Sequence, residues 1–476
     1  MRLRRLFILG VAAAATISCA RTAPISHQDW APDVKAALND FIKEYGSPKQ
    51  PEYAVFDFDN TSAIFDVSLQ LMAHQLETMS FSQTPEEFSD NISICLDGCW
   101  DSVYGKIEEI ISEYSDLYDK YGPFTHKGVD STTCAAMKAD PQWSCFAEDM
   151  GMMYKYLDKD DNVENAFIWV MGWLSGMTPD ESYDLSYRSH KIYAEAETVQ
   201  RNIGAYEWTE GIQVTDNIRE LWKALDESGI DVWVCSASSI EAVIAAVDAF
   251  GLHDFCTGVV AMTFARDSLG RLTGRYDYTD EHAMMAQPDG GWKPTEEVTG
   301  VETWGTGKVG SIDRCIAPHY DGRGPIAGFM DSTGDFNFCT EYSSLKLCVC
   351  FNRASRKVTD GGGLISETAI YERDVLGYDL RKANAAGDIL YVLQGRDENG
   401  LRSLRPSNAT LRLGAKEERI LANSENEAQL EYFKSTRPSV KEILEKYSIE
   451  TEADDPSNPL GFKYGFLKSY NGYMSR

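Results

Sequence analysis

The sequence predicts an α/β fold, in which helices cover both faces of a parallel β-sheet and a long helical insertion follows the first strand. Short, continuously apolar runs alternate with amphipathic helical segments, as they do when parallel strands are buried on both faces. Between the first two of these runs, residues 62–214 show helical periodicity and no clear strand. The chain has 476 residues, which is enough for two or three domains.

The first predicted elements are a helix and a strand. Apolar residues recur at helical spacing over 29–46, where a glycine ends the pattern, and a continuously apolar run over 53–58 predicts the first strand. Residues 62–214 are rich in Met, Trp, Tyr and acidic residues, with the clearest helical pattern at 164–196. We therefore expect a helical domain inserted into the sheet domain.

Strands and helices alternate again after the insertion. The apolar patterns predict a helix over 217–229, a strand over 230–238, a helix over 239–252, a β-hairpin over 259–278, a helix over 308–320, and strands within 325–335 and over 345–352. Beyond residue 366 the chain is more polar, and only 388–395 and 439–447 look regular.

The composition is that of an acidic globular protein. The chain is 43% hydrophobic and 11% aromatic, so it can bury a core. Its formal net charge is −29 and no run of Lys and Arg interrupts this acidity, which excludes the basic footprint that nucleic-acid binding needs.

The N-terminus predicts export from the cytoplasm. Basic residues 1–5 precede a short apolar segment that ends at Cys19 and is too short to span a bilayer. Residues 16–19 resemble a bacterial lipobox, although Thr16 stands where Leu is usual. The alternative is ordinary cleavage nearby and release into the periplasm. We expect an exported protein that contacts the membrane only through an N-terminal lipid anchor.

Eleven cysteines fit an oxidising compartment, because lipidation of Cys19 would leave an even number for disulfides. Cys235, Cys348 and Cys350 lie in apolar runs and are expected to be buried thiols. No cysteine or histidine pattern predicts a zinc site. The disulfide candidates are close in sequence and in polar surroundings: Cys95 and Cys99, and Cys134 and Cys145.

Four polar features stand at or near predicted strand ends. They are DFDNT at 57–61, Ser236 after an apolar run, Lys308 in WGTGK, and MDSTGD at 330–335. Open α/β sheets bind their ligands at the carboxyl ends of the strands. Carboxylates, a hydroxyl and a lysine gathered there predict a site for a metal ion and a phosphoryl group.

In their order and context, these motifs resemble those of the haloacid-dehalogenase-like (HAD-like) phosphatase superfamily. The resemblance implies a Rossmann-like sheet domain with a helical cap. It also implies that Asp57 is the nucleophile, forming an aspartyl-phosphate, and that Asp59 is the general acid and then the base. Dehalogenases of the superfamily lack the second acid, so Asp59 favours a phosphatase or, less strongly, a phosphomutase.

The resemblance also implies a Mg²⁺ site, since Mg²⁺ prefers oxygen ligands. One departure is visible: Met330 precedes Asp331 where the family usually has Gly. By this resemblance, Asp57, the Asp59 carbonyl group and Asp331 would bind the metal ion, and Asp335 would stand behind these ligands in the same metal site. Ser236 and Lys308 would hold the phosphoryl oxygens.

A cap at this position is typical of phosphoserine-phosphatase-like members, which act on small phosphomonoesters. Within that group, residues 29–357 most resemble the exported bacterial phosphorylcholine phosphatases. The similarity lies in YAVFDFDNTS, the SAS at the end of the second strand, ETWGTGK, and IWVMGWLSGMTPDE in the cap. It implies phosphocholine or phosphoethanolamine as the substrate.

A quaternary ammonium group binds among aromatic rings, often beside a carboxylate. Our candidates for the amine end of the substrate are Glu148, Asp149 and Tyr154. Alternatively, the aromatic residues of the insertion simply form the core of the cap. This alternative applies to each of the aromatic residues Trp143, Tyr154, Tyr156, Trp169 and Trp173.

Two other functions stay open. A phosphoserine phosphatase or a broad-specificity acid phosphatase would use the same motifs, and phosphoserine would recruit a basic cap residue such as Arg188 or Lys155. A non-enzymatic surface lipoprotein could use the fold for binding alone, but the chain retains every motif residue.

The predictions divide the chain into five parts. These are a signal peptide at 1–19, the first part of the sheet domain at 29–66, the cap at 67–214, the second part of the sheet domain at 215–365, and a C-terminal extension of unknown role at 366–476.

Overall fold

The computed structural model of the protein describes residues 25–93, 101–157, 166, 169–197, 199–203, 206–276, 282–296, 303–335, 337–339, 342–354, 389–400, 402–419 and 435–436. The strands of these ranges are β1 Glu52–Phe56, β2 Val199–Ile203, β3 Tyr206–Glu210, β4 Ile230–Ser239, β5 Gly258–Met262, β6 Phe264–Arg266, β7 Leu272–Tyr276, β8 Ala283–Ala286, β9 Trp292–Pro294, β10 Ala327–Met330, β11 Leu347–Phe351, β12 Leu390–Gln394, β13 Arg396–Asp397 and β14 Ser403–Leu404. The α-helices are α1 Pro32–Tyr45, α2 Val67–Thr78, α3 Pro85–Ile92, α4 Asp101–Tyr121, α5 Ser131–Lys138, α6 Pro141–Leu157, α7 Pro179–Glu195, α8 Asp216–Ser228, α9 Ile240–Ala249 and α10 Thr306–Ser311.

The central sheet has eight strands in the order β12-β11-β10-β1-β4-β5-β8-β9. The strands from β12 to β5 are parallel, and β8 and β9 extend the sheet in antiparallel pairing. β1 lies between β10 and β4, with Phe56 in register with Phe329 on one side and Val234 on the other. The carboxyl ends of these three strands therefore meet at one edge of the sheet.

Helical segments cover both faces of this sheet. Trp233 precedes Val234, the register partner of Phe56, so Trp233 and Phe56 point to opposite faces. Trp222 of α8 packs against Phe56, with ring centroids 5.3 Å apart. On the other face, Trp233 Nε1 donates a hydrogen bond to the Tyr320 hydroxyl at 2.7 Å. The predicted fold class, an α/β fold in which helices cover both faces of a parallel sheet and a helical cap follows the first strand, is confirmed.

The inserted segment leaves the sheet after β1 and returns before β4. Its two ends meet at a β-bridge, in which the Ile64 N–H donates to the Gln213 carbonyl oxygen at 2.7 Å. Between these points, α2 to α7 surround an aromatic core, and the alternative that Trp169 and Trp173 belong to the cap core is confirmed. The core includes Phe81, Phe88, Tyr114, Phe124, Phe146, Trp169 and Trp173.

Several strands lie where the sequence predicted something else. The insertion, for which no strand was predicted, contains an antiparallel hairpin formed by β2 and β3. These strands are too short to stand out from the helical pattern of the surrounding sequence. β5 is a buried strand of the central sheet, so only β6 and β7 form the hairpin predicted for 259–278. β12 pairs in parallel with β11, so the sheet extends past the boundary that we predicted at residue 366. The regular segment predicted at 439–447 lies outside the described residues.

The cysteine predictions have mixed outcomes. Cys134 and Cys145 are both free thiols on helices α5 and α6, rather than loop residues joined by a disulfide, and the Cys134 thiol donates to the Glu77 carbonyl oxygen at 3.3 Å. Cys235, Cys348 and Cys350 are buried, as predicted. Cys95, Cys99 and the N-terminal segment 1–24 lie outside the described residues. Among the helices that the structure describes, none is long and apolar enough to cross a bilayer.

Candidate active site

Asp57 directly follows β1 and lies at the edge of the sheet where the three central strands end. Its N–H donates to the Phe329 carbonyl oxygen at 3.0 Å, which extends the pairing of β1 and β10 by one residue. The Ser62 hydroxyl donates to the Asp57 carbonyl oxygen at 2.7 Å and closes the following turn. These backbone contacts hold the Asp57 carboxylate, whose residue is only 6% exposed, at the centre of the sheet edge.

Three buried carboxylates meet at this point. Asp57, Asp331 and Asp335 each offer an oxygen, and these oxygens all lie within 4.8 Å of one another. Burial and the neighbouring Asp335 raise the pKa of Asp57 well above its usual range, although Lys308 opposes the shift. Buried like charges at this spacing are costly without a cation, and three carboxylates suit a hard divalent ion. The residues present therefore fit Mg²⁺.

Lys308 joins two of these carboxylates. Its ammonium group lies 2.6 Å from Asp57 Oδ1 and 2.5 Å from Asp335 Oδ1, and Lys308 is 2% exposed. Burial disfavours the charged ammonium, but Asp335 and Asp57 outweigh this effect and raise the pKa of Lys308. The lysine therefore stays charged beside the carboxylate predicted to attack phosphorus.

Mg²⁺ is expected to stabilise the protein more near pH 7 than near pH 5. Burial raises the pKa of Asp335 to about 6, despite Lys308, so the folded state holds a proton that the unfolded chain has released. The metal-free protein should lose stability as the pH rises from about 4 to about 6, and Mg²⁺ should offset this loss. Melting temperatures with and without Mg²⁺ measure the effect. A Mg²⁺ effect independent of pH, or unchanged in Asp335→Asn, would contradict it.

Asp59 lies in different surroundings from Asp57. Its Oδ1 accepts a hydrogen bond from the Val67 N–H at 2.6 Å, and its Oδ2 accepts one from the Ser238 hydroxyl at 2.6 Å. Burial and the charge of Asp66 raise the pKa of Asp59 well above its usual range, and the two hydrogen bonds only partly oppose the shift. A carboxyl group with a raised pKa can carry the proton that a leaving alkoxide needs.

At the end of β4, the serine that lines the pocket is Ser238, and Ser236 is not among the lining residues. Ser236 is fully buried, and its Oγ accepts a hydrogen bond from the Ser238 N–H at 3.1 Å. The pairing of β4 with β5 is irregular between Cys235 and Ser239, and such a bulge re-aims the side chains beside it. Ser236 contacts the pocket residue Ser238 through the backbone N–H of Ser238. The sequence reasoning missed Ser238, although SAS contains both serines.

A pocket of about 100 Å³ opens in front of these groups. Tyr154 of the cap, one of the candidates for the amine end of the substrate, lines it together with Met72 and Trp304. Its lining is Asp57, Asp59, Asn60, Asp66, Ser68, Leu69, Met72, Tyr154, Val170, Met171, Ala237, Ser238, Trp304, Lys308, Asp331, Ser332, Gly334, Asp335 and Arg353. The cap and the sheet domain therefore both contribute to the wall.

Glu148 and Asp149 do not line this pocket, which contradicts their prediction as ligands of the amine. Both precede Tyr154 on α6, and at 3.6 residues per turn they lie about 120–140° around the helix axis from it. Asp149 instead forms an ion pair with Lys106, with both carboxylate oxygens 2.9 Å from the ammonium nitrogen. Of the three cap candidates, only Tyr154 faces the site.

Arg353 is a pocket residue that the sequence reasoning missed. It follows β11, the neighbour of β10, and its Nη1 lies 2.9 Å from Asp331 Oδ2. The sequence could have indicated Arg353, because it is a basic residue just after a buried parallel strand, and that strand ends at the same edge of the sheet as β1. The two basic cap residues considered for an anionic substrate, Arg188 and Lys155, do not line the pocket.

The C-terminal part of the described chain holds the turn after the two aspartates. Arg396 of β13 is buried and donates to both oxygens of Asn60, to the carbonyl at 2.8 Å and to the side chain at 3.1 Å. Glu398 lies 2.7 Å from Arg396 and offsets its charge. Asn60 has a φ of 59°, a left-handed conformation that Asn tolerates better than most residues. Arg396 therefore positions the backbone next to Asp59.

Arg396→Lys is expected to lower the free energy of unfolding by about 2 kcal/mol, because Lys cannot donate to both oxygens of Asn60 in one fixed plane. It should also lower kcat for an aryl phosphate. Urea unfolding and steady-state turnover measure the two effects, with Arg419→Lys at an exposed position as the matched control. If the two variants behaved alike, Arg396 would not position the turn.

Comparisons with known proteins agree with the fold. No family model matches the chain, and no curated protein matches its sequence. A solved structure of a conserved protein of unknown function from Anaerococcus prevotii DSM 20548 superposes with a TM-score of 0.61 at 21% identity, over 82% of this chain and 99% of that chain. The two proteins therefore share a fold.

Two further solved structures match more loosely. A protein of unknown function from Bordetella pertussis Tohama I has a TM-score of 0.32 at 13% identity, covering 64% of this chain and 91% of its own. A cytosolic 5'-nucleotidase IIIB bound to cytidine has a TM-score of 0.28 at 13% identity, covering 77% of this chain and 89% of its own. At these TM-scores, neither bears on the function of this chain.

Proposed function

We propose that the protein is a Mg²⁺-dependent phosphomonoester hydrolase that acts through an aspartyl-phosphate intermediate. The observation that carries this proposal is the contrast between two carboxylates at the end of β1. Asp57 lies against the Lys308 ammonium group inside the acidic cluster, whereas Asp59 lies at the pocket wall, where burial and the charge of Asp66 raise its pKa. The first arrangement suits a nucleophile, and the second suits a group that gives and takes a proton.

The reaction would proceed in two displacements. In the first, a carboxylate oxygen of Asp57 attacks phosphorus, the bond to the leaving oxygen breaks, and Asp59 gives its proton to that oxygen. In the second, water attacks phosphorus, Asp59 takes a proton from the water, and Asp57 leaves as a carboxylate with release of inorganic phosphate. A Mg²⁺ held by the Asp57, Asp331 and Asp335 cluster would supply positive charge to the phosphoryl oxygens, and Lys308 adds to it.

For the substrate we favour phosphocholine or phosphoethanolamine. The pocket of about 100 Å³ supports a small leaving group. The rings of Tyr154 and Trp304 and the carboxylate of Asp66 line it, and aromatic faces with a nearby carboxylate are the surroundings that bind an organic cation.

Arg353 favours a second candidate, a phosphomonoester with an anionic leaving group such as phosphoserine. A guanidinium group binds carboxylates through paired hydrogen bonds. Its present partner is Asp331, one of the proposed metal ligands. A cation bound to Asp331 would weaken this ion pair and release Arg353 for a carboxylate of the substrate.

A substrate panel decides between the two candidates. We expect kcat/KM to be at least about tenfold higher for phosphocholine than for phosphoserine, at saturating Mg²⁺, and expect Arg353→Gln to change the value for phosphocholine by less than about threefold. Steady-state kinetics with the wild type and this variant measure both. A preference for phosphoserine that disappears in the variant would support the second candidate and contradict the first.

A further inference from the structure

A second cavity, of about 340 Å³, lies where the cap packs on the sheet domain. Residues of α7, of α9 and of the β8–β9 hairpin line it, and it shares no lining residue with the pocket in front of Asp57. The lining residues that matter here are Tyr183, Glu241, Asp248, Arg266, Met284 and Trp292.

Glu241 is a buried carboxyl group that faces this cavity. The residue is the second of α9 and is 5% exposed, and its Oε2 has no hydrogen-bond partner among the residues that the structure describes. Burial raises the pKa of Glu241 to about 7, so the group is charged above neutral pH. A buried carboxylate oxygen without a partner is costly, and a ligand that donates a hydrogen bond would remove that cost.

The aromatic wall of the cavity is held in place by Asp248. Its Oδ2 accepts hydrogen bonds from the Tyr183 hydroxyl at 2.6 Å and from Trp292 Nε1 at 2.9 Å. Its Oδ1 lies 2.6 Å from His253 Nδ1. Asp248 therefore has hydrogen-bond partners on both carboxylate oxygens and holds two rings in place. Oε2 of Glu241, in contrast, has no such partner among the described residues.

We propose that this cavity binds a small primary or secondary ammonium ion, whose N–H donates to Glu241 and whose apolar part packs between the rings of Tyr183 and Trp292. The ligand is a cation because the free acceptor is a carboxylate, and ammonium groups are attracted to aromatic faces. It is an organic cation rather than a metal ion because Glu241 is the one buried carboxylate of the lining with an unpartnered oxygen among the described residues: Asp248 is hydrogen-bonded on both oxygens, Asp180 is exposed, and much of the remaining wall is aromatic and aliphatic. Two basic side chains also line the cavity: Arg266, which is exposed and whose charge partly opposes the raised pKa of Glu241, and His282.

The site lies close to the proposed active site along the chain. Glu241 is three residues after Ser238, whose hydroxyl donates to Asp59. Ser239, between them, caps α9 by accepting a hydrogen bond from the Ala242 N–H at 3.2 Å. A ligand at Glu241 therefore contacts the first turn of the helix that follows the strand carrying Ser238.

Calorimetric titration of the full-length protein with benzylamine, near pH 8, tests the proposal. We expect benzyl alcohol, which lacks the charge, and benzyltrimethylammonium, which lacks the N–H, each to bind at least about tenfold more weakly than benzylamine. Glu241→Gln should remove this preference, and Glu227→Gln at an exposed position of α8 should keep it. Equal binding of the three probes, no binding of benzylamine, or a preference that survives in Glu241→Gln would overturn the proposal.

Methyl-labelled methionine locates the bound amine without any variant at Glu241. Met284 lines the second cavity, and Met72 lines the pocket in front of Asp57. Benzylamine should shift the methyl resonance of Met284, and any additional shift of Met72 would report the separate organic-cation pocket proposed in front of Asp57. A shift of Met72 alone would place the amine in the active-site pocket and contradict a second site.

Discussion

Asp57→Asn is expected to reduce the turnover of an aryl phosphate by at least about a thousandfold, because an amide oxygen is a poor nucleophile and no other group replaces it. The fold should survive. Burial and Asp335 raise the pKa of Asp57, so a neutral amide removes repulsion from the acidic cluster, while Lys308 keeps Asp335 as a partner. The metal-free variant should melt at the same temperature as the wild type or higher, which separates loss of chemistry from loss of structure.

The matched control for this variant is Asp313→Asn, in the helical segment that follows Lys308 and outside the pocket lining. It should retain wild-type turnover. Turnover by Asp57→Asn within about tenfold of the wild type, in a preparation shown to be free of other phosphatases, would contradict Asp57 as the nucleophile.

Asp59→Asn is expected to reduce kcat/KM for an alkyl phosphate by about 10²–10⁴-fold, the contribution that a general acid typically makes. The loss for an aryl phosphate should be smaller, because a phenolate leaves without a proton. The second displacement still needs a base, so the aryl substrate should release one equivalent of phenol quickly and then turn over slowly. Rapid mixing measures this burst.

The dependence on the leaving group separates the role of Asp59 from a structural one. Loss of a hydrogen bond to Ser238 or Val67 would slow all substrates alike. Equal losses for alkyl and aryl phosphates, with no burst, would therefore contradict Asp59 as the proton donor. Ser238→Ala serves as the control, since it removes the hydroxyl but leaves the carboxyl group of Asp59 in place.

The sheet and its acidic edge could be predicted because both depend on local pattern. Continuously apolar runs such as 53–58 form buried parallel strands, and polar residues directly after them must lie at the carboxyl edge. The placement of Asp57 and Asp331 follows from this rule, whereas Lys308 lies on helix α10 and was expected at this edge from the resemblance alone. β12 could not be predicted as part of the sheet, since its pairing with β11 depends on contacts across a long stretch of chain.

The parts of the site that the sequence did not reveal depend on tertiary contacts or on side-chain direction. A β-bulge, invisible in SAS, brings Ser238 rather than Ser236 to the pocket. Arg396 meets Asn60 across 336 positions of the chain, and a lone arginine after a short strand usually faces solvent. On α6, Tyr154 faces the site and Glu148 and Asp149 do not, because the three residues point in different directions around the helix axis. The sequence does not show which of these directions faces the sheet domain.

The most direct test of the account is the mass of the protein after rapid acid quenching during turnover of an aryl phosphate. In Asp59→Asn, whose second displacement is slow, we predict that most molecules carry one additional phosphoryl group, and that peptide mapping places it on Asp57. The double variant Asp57→Asn, Asp59→Asn should carry none. Unmodified Asp59→Asn protein during a measured burst, or a phosphoryl group on any residue other than Asp57, would contradict the aspartyl-phosphate mechanism.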